Sequence, residues 1–230
     1  NEVADKIMLK IFIDDREKAL QQLGIYGANY KLGMLMTIFI QMFRYAAEPF
    51  YFSKMKDRDA REVYAMVMKY FILFGLLIFL VVMLYIDIFK HFIGEEFHSG
   101  LRIVPVILTA NLFLGIVYNL SIWYKLSNRT SYGAFITGFG AFVTVALNIL
   151  LIPIYGYVGC AWATLTCYVS MFFLSFFLGR RFYVIPYPIK SILFYIGLSY
   201  GIYFLHDFIQ YPNLPLKIVF NSLFLLFFVA

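Results

Sequence analysis

Residues Tyr64–Phe89 read YAMVMKYFILFGLLIFLVVMLYIDIF. Lys69 and Asp87 are the only charges in the run, and between Tyr70 and Ile86 there are none. A helix needs about 20 apolar residues to cross roughly 30 Å of hydrocarbon. The run meets that length. It shows no alternation of polar and apolar residues, so a half-buried strand does not fit it. The reading is a membrane-spanning helix.

The same reading recurs along the chain, at 24–53, 101–126, 131–153, 157–179, 189–206 and 215–230, which with 64–89 predicts seven spans. The connections are short and carry turn formers or charge: 54–62, 94–100, 127–131, 154–159, 179–188 and 207–215. In lipid every backbone amide must find its partner internally, and long apolar runs do so as helices. The ten-residue alternating strands of a transmembrane barrel are absent from the sequence. The expected fold is an all-α, polytopic helical membrane protein.

Composition points the same way. Of 230 residues 63% are hydrophobic and 14% charged, against about half and a quarter in soluble domains. The net charge of +6 fits loops facing anionic lipid, so no nucleic acid is implied. Cys160 and Cys167 fall inside one apolar block and read as small buried hydrophobes. The sequence begins at Asn1 without an initiator Met and stops at Ala230 inside an apolar run, as a fragment of a longer transporter would.

Orientation follows from Lys and Arg in short loops. Lys54, Lys56, Arg58 and Arg61, then Lys125 and Arg129, then Arg180, Arg181 and Lys190 occupy alternate connections. The connections between them hold Lys90, Arg102 and Lys217. The basic set is therefore expected in the cytoplasm. The N-terminal Lys6, Lys10, Arg16 and Lys18 run against that pattern, in the company of Asp5, Asp14, Asp15 and Glu17.

Segment 24–53, GIYGANYKLGMLMTIFIQMFRYAAEPFYFS, carries most of the functional information. Placed on a helical wheel, Tyr26, Tyr30, Gly33, Thr37, Gln41, Arg44 and Glu48 fall within roughly 80°. Ionisable groups inside a span cost about 2.5–3.5 kcal/mol each, so they normally face protein or water. A polar stripe on a greasy helix is what a hydrated cavity requires. Arg44 and Glu48, four apart, are also placed to pair with each other and to join neighbouring helices. Lys31 lies off the stripe near one end, where it can snorkel. Lys69 sits one turn into its helix. Asn111 and Tyr118 share a face with Gly115. Asn119, Asn148 and Thr164 read as interhelical hydrogen-bond partners, and Gly133, Gly138 and Gly140 as points of close helix contact.

No nucleotide-binding loop, GxSxG elbow or zinc-helix motif occurs. His91, Glu95, Glu96 and His98 match no metal-site spacing and read as a solvated loop. Asn128-Arg129-Thr130 fits a glycosylation acceptor, on the side expected to be cytoplasmic.

Gly24–Ser53, with Gly-Ile-Tyr opening and Gln41, Arg44 and Glu48-Pro49-Phe50 closing, resembles the first full C-lobe helix of bacterial polysaccharide biosynthesis flippases. NILLIPIYGYVGCAWAT at 148–164 resembles an inter-helix turn of that family, and Asp5-Lys6 the end of the preceding helix. The resemblance implies the multidrug/oligosaccharidyl-lipid/polysaccharide exporter fold: two six-helix lobes around a cavity, often with two extra helices. On it, 1–23 would be the end of a preceding helix and an outer loop. Residues 24–179 would be the C-lobe, and 180–230 the two additional C-terminal helices, with the N-terminal lobe missing.

The implied activity is movement of a polyprenyl-pyrophosphate-linked oligosaccharide from the inner to the outer leaflet of the plasma membrane. Implied partners are that lipid-linked oligosaccharide, membrane lipids, the missing lobe and a proton or sodium counter-ion. No cofactor and no catalytic residue is expected. The candidate substrate-contact set is Tyr30, Lys31, Thr37, Gln41, Arg44, Glu48, Lys69, Asn111 and Tyr118. Rival readings are a cation-coupled multidrug exporter of the same fold, which should favour acidic over basic cavity residues, and a membrane glycan polymerase, which should carry a large outer loop.

Overall fold

A computed structural model describes residues 2–13, 15–209 and 213–229. Parts of the expected outer loop and of the 207–215 connection, and the final residue of the last segment, lie outside the described residues. The described residues form helices and turns with no strand among them.

Helix α1 (Glu2–Phe12) precedes α2 (Arg16–Lys54). Asp15 fixes the start of α2. Its side chain accepts the backbone N–H of Glu17 at 2.9 Å and of Lys18 at 3.3 Å, leaving fewer unpaired donors in the first turn. Residues 1–23, expected to hold the end of a preceding helix and an outer loop, thus include α1 and the first turns of α2, because a capping aspartate lets α2 begin eight residues before the apolar segment. At 39 residues, α2 is about 58 Å long at 1.5 Å per residue and outruns the hydrocarbon.

The chain continues through α3 (Ala60–Leu84), the short α4 (Ile86–Phe89) and a 3₁₀ run at Glu95–Ile103, into α5 (Val104–Leu120) and α6 (Ile122–Leu126). Then come α7 (Ser131–Tyr155), α8 (Tyr157–Phe182), α9 (Ile189–Phe208) and α10 (Leu214–Val229). Five helical stretches are long and apolar enough to cross a membrane: Ala60–Leu84, Glu95–Leu126, Ser131–Tyr155, Tyr157–Phe182 and Ile189–Phe208. This is a multi-pass pattern, but two of the seven expected spans fall short of it. Polar residues dilute the apolar character of α2, and α10 is short, with Pro215–Val229 as its apolar part.

In hydrocarbon, helices gain little from hiding apolar surface from lipid, so close packing and interhelical hydrogen bonds decide how they associate. Helix α8 packs against both α5 and α7, α2 lies against α5, and α3 lies against α9. The main core joins α2, α3 and α5 through Met36, Phe71, Leu76, Leu80, Leu108 and Leu112. Gly115 is a point of close contact between α5 and its neighbours. A Cβ there would sit 2.3 Å from Phe71 Cζ and 3.0 Å from Ile40 Cγ1. Gly133 and Gly140 also serve as contact points, against Tyr124 and Met171. Gly138 does not: nothing lies within 4 Å of a Cβ built there. It falls on the outer face of α7 with Phe135, Phe142 and Val145, all exposed.

The turn between α7 and α8 depends on Gly156, whose φ is +57°. That backbone conformation is easy only for glycine. Gln22 on α2 reaches into the turn and accepts the N–H of Tyr157 at 2.9 Å, which fixes the end of the α7–α8 pair to α2.

A cationic cleft and a buried carboxylate

The polar stripe of α2 divides in two. Near Lys54 it opens into a narrow cleft between α2, α5 and α6, lined by Arg44, Glu48, Tyr118, Asn119, Ser121 and Lys125, among others. Its free volume is about 20 Å³, enough for about one water. Two cations and one anion meet there. Glu48 Oε1 pairs with Lys125 Nζ, while Arg44 Nε stands 3.9 Å from Glu48 Oε2, too far for a hydrogen bond. The Arg44 guanidinium instead lies over the Tyr118 ring, 4.9 Å from its centre, a cation–π distance. The Arg44 side chain is 42% exposed. Its donors form no hydrogen bond among the described residues.

The base of the cleft is rigid. The Tyr51 hydroxyl donates to Asn119 Oδ1 at 2.5 Å, Asn119 donates to the Gly115 carbonyl at 3.2 Å, and the Tyr64 hydroxyl donates to the Tyr51 carbonyl at 2.8 Å. Pairing between Arg44 and Glu48, expected from their spacing, is therefore secondary. The stronger partner of Glu48 is Lys125, which the sequence presents as one more loop cation. The position of Lys125 at the end of a span, on the same side as Glu48, was the available signal.

The other candidates scatter. Asn111 donates to the Gly33 carbonyl and to Thr37 Oγ1, both at 3.2 Å, so Asn111 and Thr37 join α5 to α2. Gln41 is half-buried on the stripe outside the cleft lining. Lys31 is exposed. Lys69 faces α9, its ammonium 5.8 Å from the Tyr195 ring centre. Tyr30 is 7% exposed, sealed in a second core with Leu9, Tyr26, Ile107 and Cys160. Of the nine residues, Arg44, Glu48 and Tyr118 meet in one place.

The sealed half of the stripe meets Asp5, which the resemblance puts at the end of a preceding helix. Asp5 on α1 is fully buried. Asn148 Nδ2 donates to Oδ1 at 2.7 Å; the Tyr26 hydroxyl and Thr164 Oγ1 donate to Oδ2 at 2.8 and 2.9 Å. Four helices, α1, α2, α7 and α8, thus meet on one carboxylate. Asn148 Oδ1 is buried there without a hydrogen-bond partner among the described residues. The apolar residues around Asp5 (Val3, Ala4, Ile7, Met8 and Leu9) were the signal that α1 packs rather than dangles.

A third acid is an end tie. Asp87 on α4 receives Lys90 at 2.7 Å and Lys217 of α10 at 2.5 Å, and these two cations, Lys217 foremost, hold its carboxyl down at about 2.

No family model matches the chain, and no similar curated protein or solved structure is found.

Proposed function

We propose that the chain is the C-terminal lobe, with two additional helices, of a flippase that moves polyprenyl-pyrophosphate-linked oligosaccharide across the plasma membrane by alternating access. The observation that carries this reading is Arg44: a guanidinium at a cleft between α2, α5 and α6, held over Tyr118, with its planar fork of donors unspent among the described residues. Such a fork suits a phosphate oxyanion. With Lys125 and Glu48 the cleft bears one net positive charge. A pyrophosphate and sugars cannot enter hydrocarbon without a large desolvation cost. A half-channel offering donors and aromatic faces lowers that cost while the lipid tail stays in the bilayer. The narrow cleft is one wall of such a path, and the missing lobe supplies the other.

Asp5 is the group suited to the counter-ion. It is a buried carboxylate at the junction of four helices, with the unpaired Asn148 oxygen nearby, so taking up a proton or sodium there would bias how those helices pack. The same feature supports the second reading, a cation-coupled drug exporter. That reading ranks lower because the acid is sealed behind Tyr26 and Tyr30, and the open cleft is basic.

The test is surface glycan and membrane abundance in cells that depend on this protein. Arg44→Ala is expected to remove surface glycan at normal abundance, because Glu48 keeps Lys125. Arg44→Lys should restore it in part, since ammonium lacks the fork. Normal glycan in Arg44→Ala, or recovery in Arg44→Ala/Glu48→Ala, would reduce Arg44 to half of a structural pair.

A further inference from the structure

At the opposite end of the bundle from the Arg44 cleft, a hollow of about 490 Å³ lies between the end of α1, the first turns of α2, Arg102 at the end of the 3₁₀ run and the α7–α8 turn. Sites for small molecules run from about 300 to 1,000 Å³. Its polar lining includes Asp15, Lys18, Gln22, Arg102 and Tyr157. Of the two cations and one acid among them, the acid is committed: Asp15 Oδ1 caps the first turn of α2.

Arg102 is held in place. Its Nε and Nη2 donate to the Tyr157 hydroxyl at 3.1 and 2.8 Å, and that hydroxyl donates to the Ser99 carbonyl at 3.1 Å. Two of the five guanidinium N–H groups are spent, and three remain without a partner among the described residues. Lys18, exposed on the first turn of α2, likewise forms no side-chain hydrogen bond or ion pair among them. The N-termini of α2 and α8 border the same hollow, bound together by Gln22 and Tyr157, and both helix dipoles are positive there. A fixed guanidinium, an ammonium and two helix starts converge on one open volume. A compact anion with several acceptor oxygens would take up the remaining guanidinium donors and the ammonium, and both helix dipoles would favour its charge.

We infer that this hollow binds the phosphate of a membrane headgroup or free phosphate, separately from whatever the Arg44 cleft carries. The claim stands on the hollow alone, so it survives or fails independently of transport.

The test uses the purified protein in neutral detergent at low salt, titrated with two probes: short-chain phosphatidylglycerol and inorganic phosphate. Binding is read as a thermal shift. Lys18→Gln and Arg102→Gln are each expected to weaken binding about tenfold. Arg129→Gln, at the other end of the bundle, is the control and should leave it unchanged. Binding of both probes identifies the phosphate group as what is recognised. Lipid alone identifies a headgroup site, and phosphate alone a free-anion site. Since Arg102 also supports Tyr157, Lys18→Gln decides the matter if Arg102→Gln lowers folded yield. Absence of binding by either probe, or binding that survives both substitutions, overturns the inference.

Discussion

The first and last thirds of α2 handle polar side chains in opposite ways. Around Tyr26 and Tyr30 the helix is enclosed, and Tyr26 spends its hydroxyl on a carboxylate that is itself saturated with donors. Around Arg44 and Glu48 the helix borders an opening, and the guanidinium keeps its donors free. The same angular stripe runs through both. Sequence periodicity specifies the face of a helix, but only packing decides whether that face meets protein or water. In the enclosed region, polarity joins helices. In the open region it remains available to a ligand.

The largest effect that can break this contrast is at Asp5. Asp5→Ala would strip one acceptor from three buried donors, each costing about 1–3 kcal/mol when left unmade. A loss of at least about 3 kcal/mol is expected, seen as a large fall in folded yield and melting temperature in detergent. Asp5→Asn keeps the shape and should cost less. If Asp5→Ala melts like the wild type, the junction of α1, α2, α7 and α8 is not a closed structural centre and the contrast fails.

Glycines give the next, smaller test. Gly115→Ala drives a Cβ to 2.3 Å from Phe71, and overpacking of that kind costs about 1–3 kcal/mol. Gly138→Ala meets nothing within 4 Å and removes a poor helix former, so it should be neutral or stabilising by up to about 1 kcal/mol. Equal melting shifts for the two variants would place α5 and α7 differently from the packing described.

How much of this was legible in the sequence differs by element. Helical spans over 64–89 and 131–179 are written in continuous apolar runs, whose length and lack of charge admit few alternatives. The interhelical roles of Asn119, Asn148 and Thr164 follow from a general rule, that a polar group at depth seeks a partner. The apolar residues beside Asp5 mark α1 as a packed helix, but its role as a junction is not local: its partners are 21, 143 and 159 residues away. Lys125 was misjudged for the same reason: its tie to Glu48 spans 77 residues. Gly138 failed in the other direction. Its spacing matches Gly140, but two residues along a helix turn the side chain by about 200°, so both cannot face α8.

The finest test addresses the open region itself, through the coupling between Glu48 and Lys125. Their side chains are 37% and 26% exposed, so water competes for both charges and screens their attraction. Ion pairs of that exposure are worth about 0.2–1 kcal/mol. Glu48→Gln, Lys125→Gln and the double variant form a cycle in which the pairwise part separates from what each side chain does alone. A coupling in that small range, shrinking as salt is raised, is the expected outcome. It would mean that the cleft is hydrated and its charges are free to exchange partners when an anion approaches Arg44. A coupling above about 2 kcal/mol, insensitive to salt, would mean that the pair is dry. The Arg44–Glu48 stretch of α2 would then be as sealed as the stretch around Tyr26 and Tyr30, and Arg44 would have no open cleft to serve.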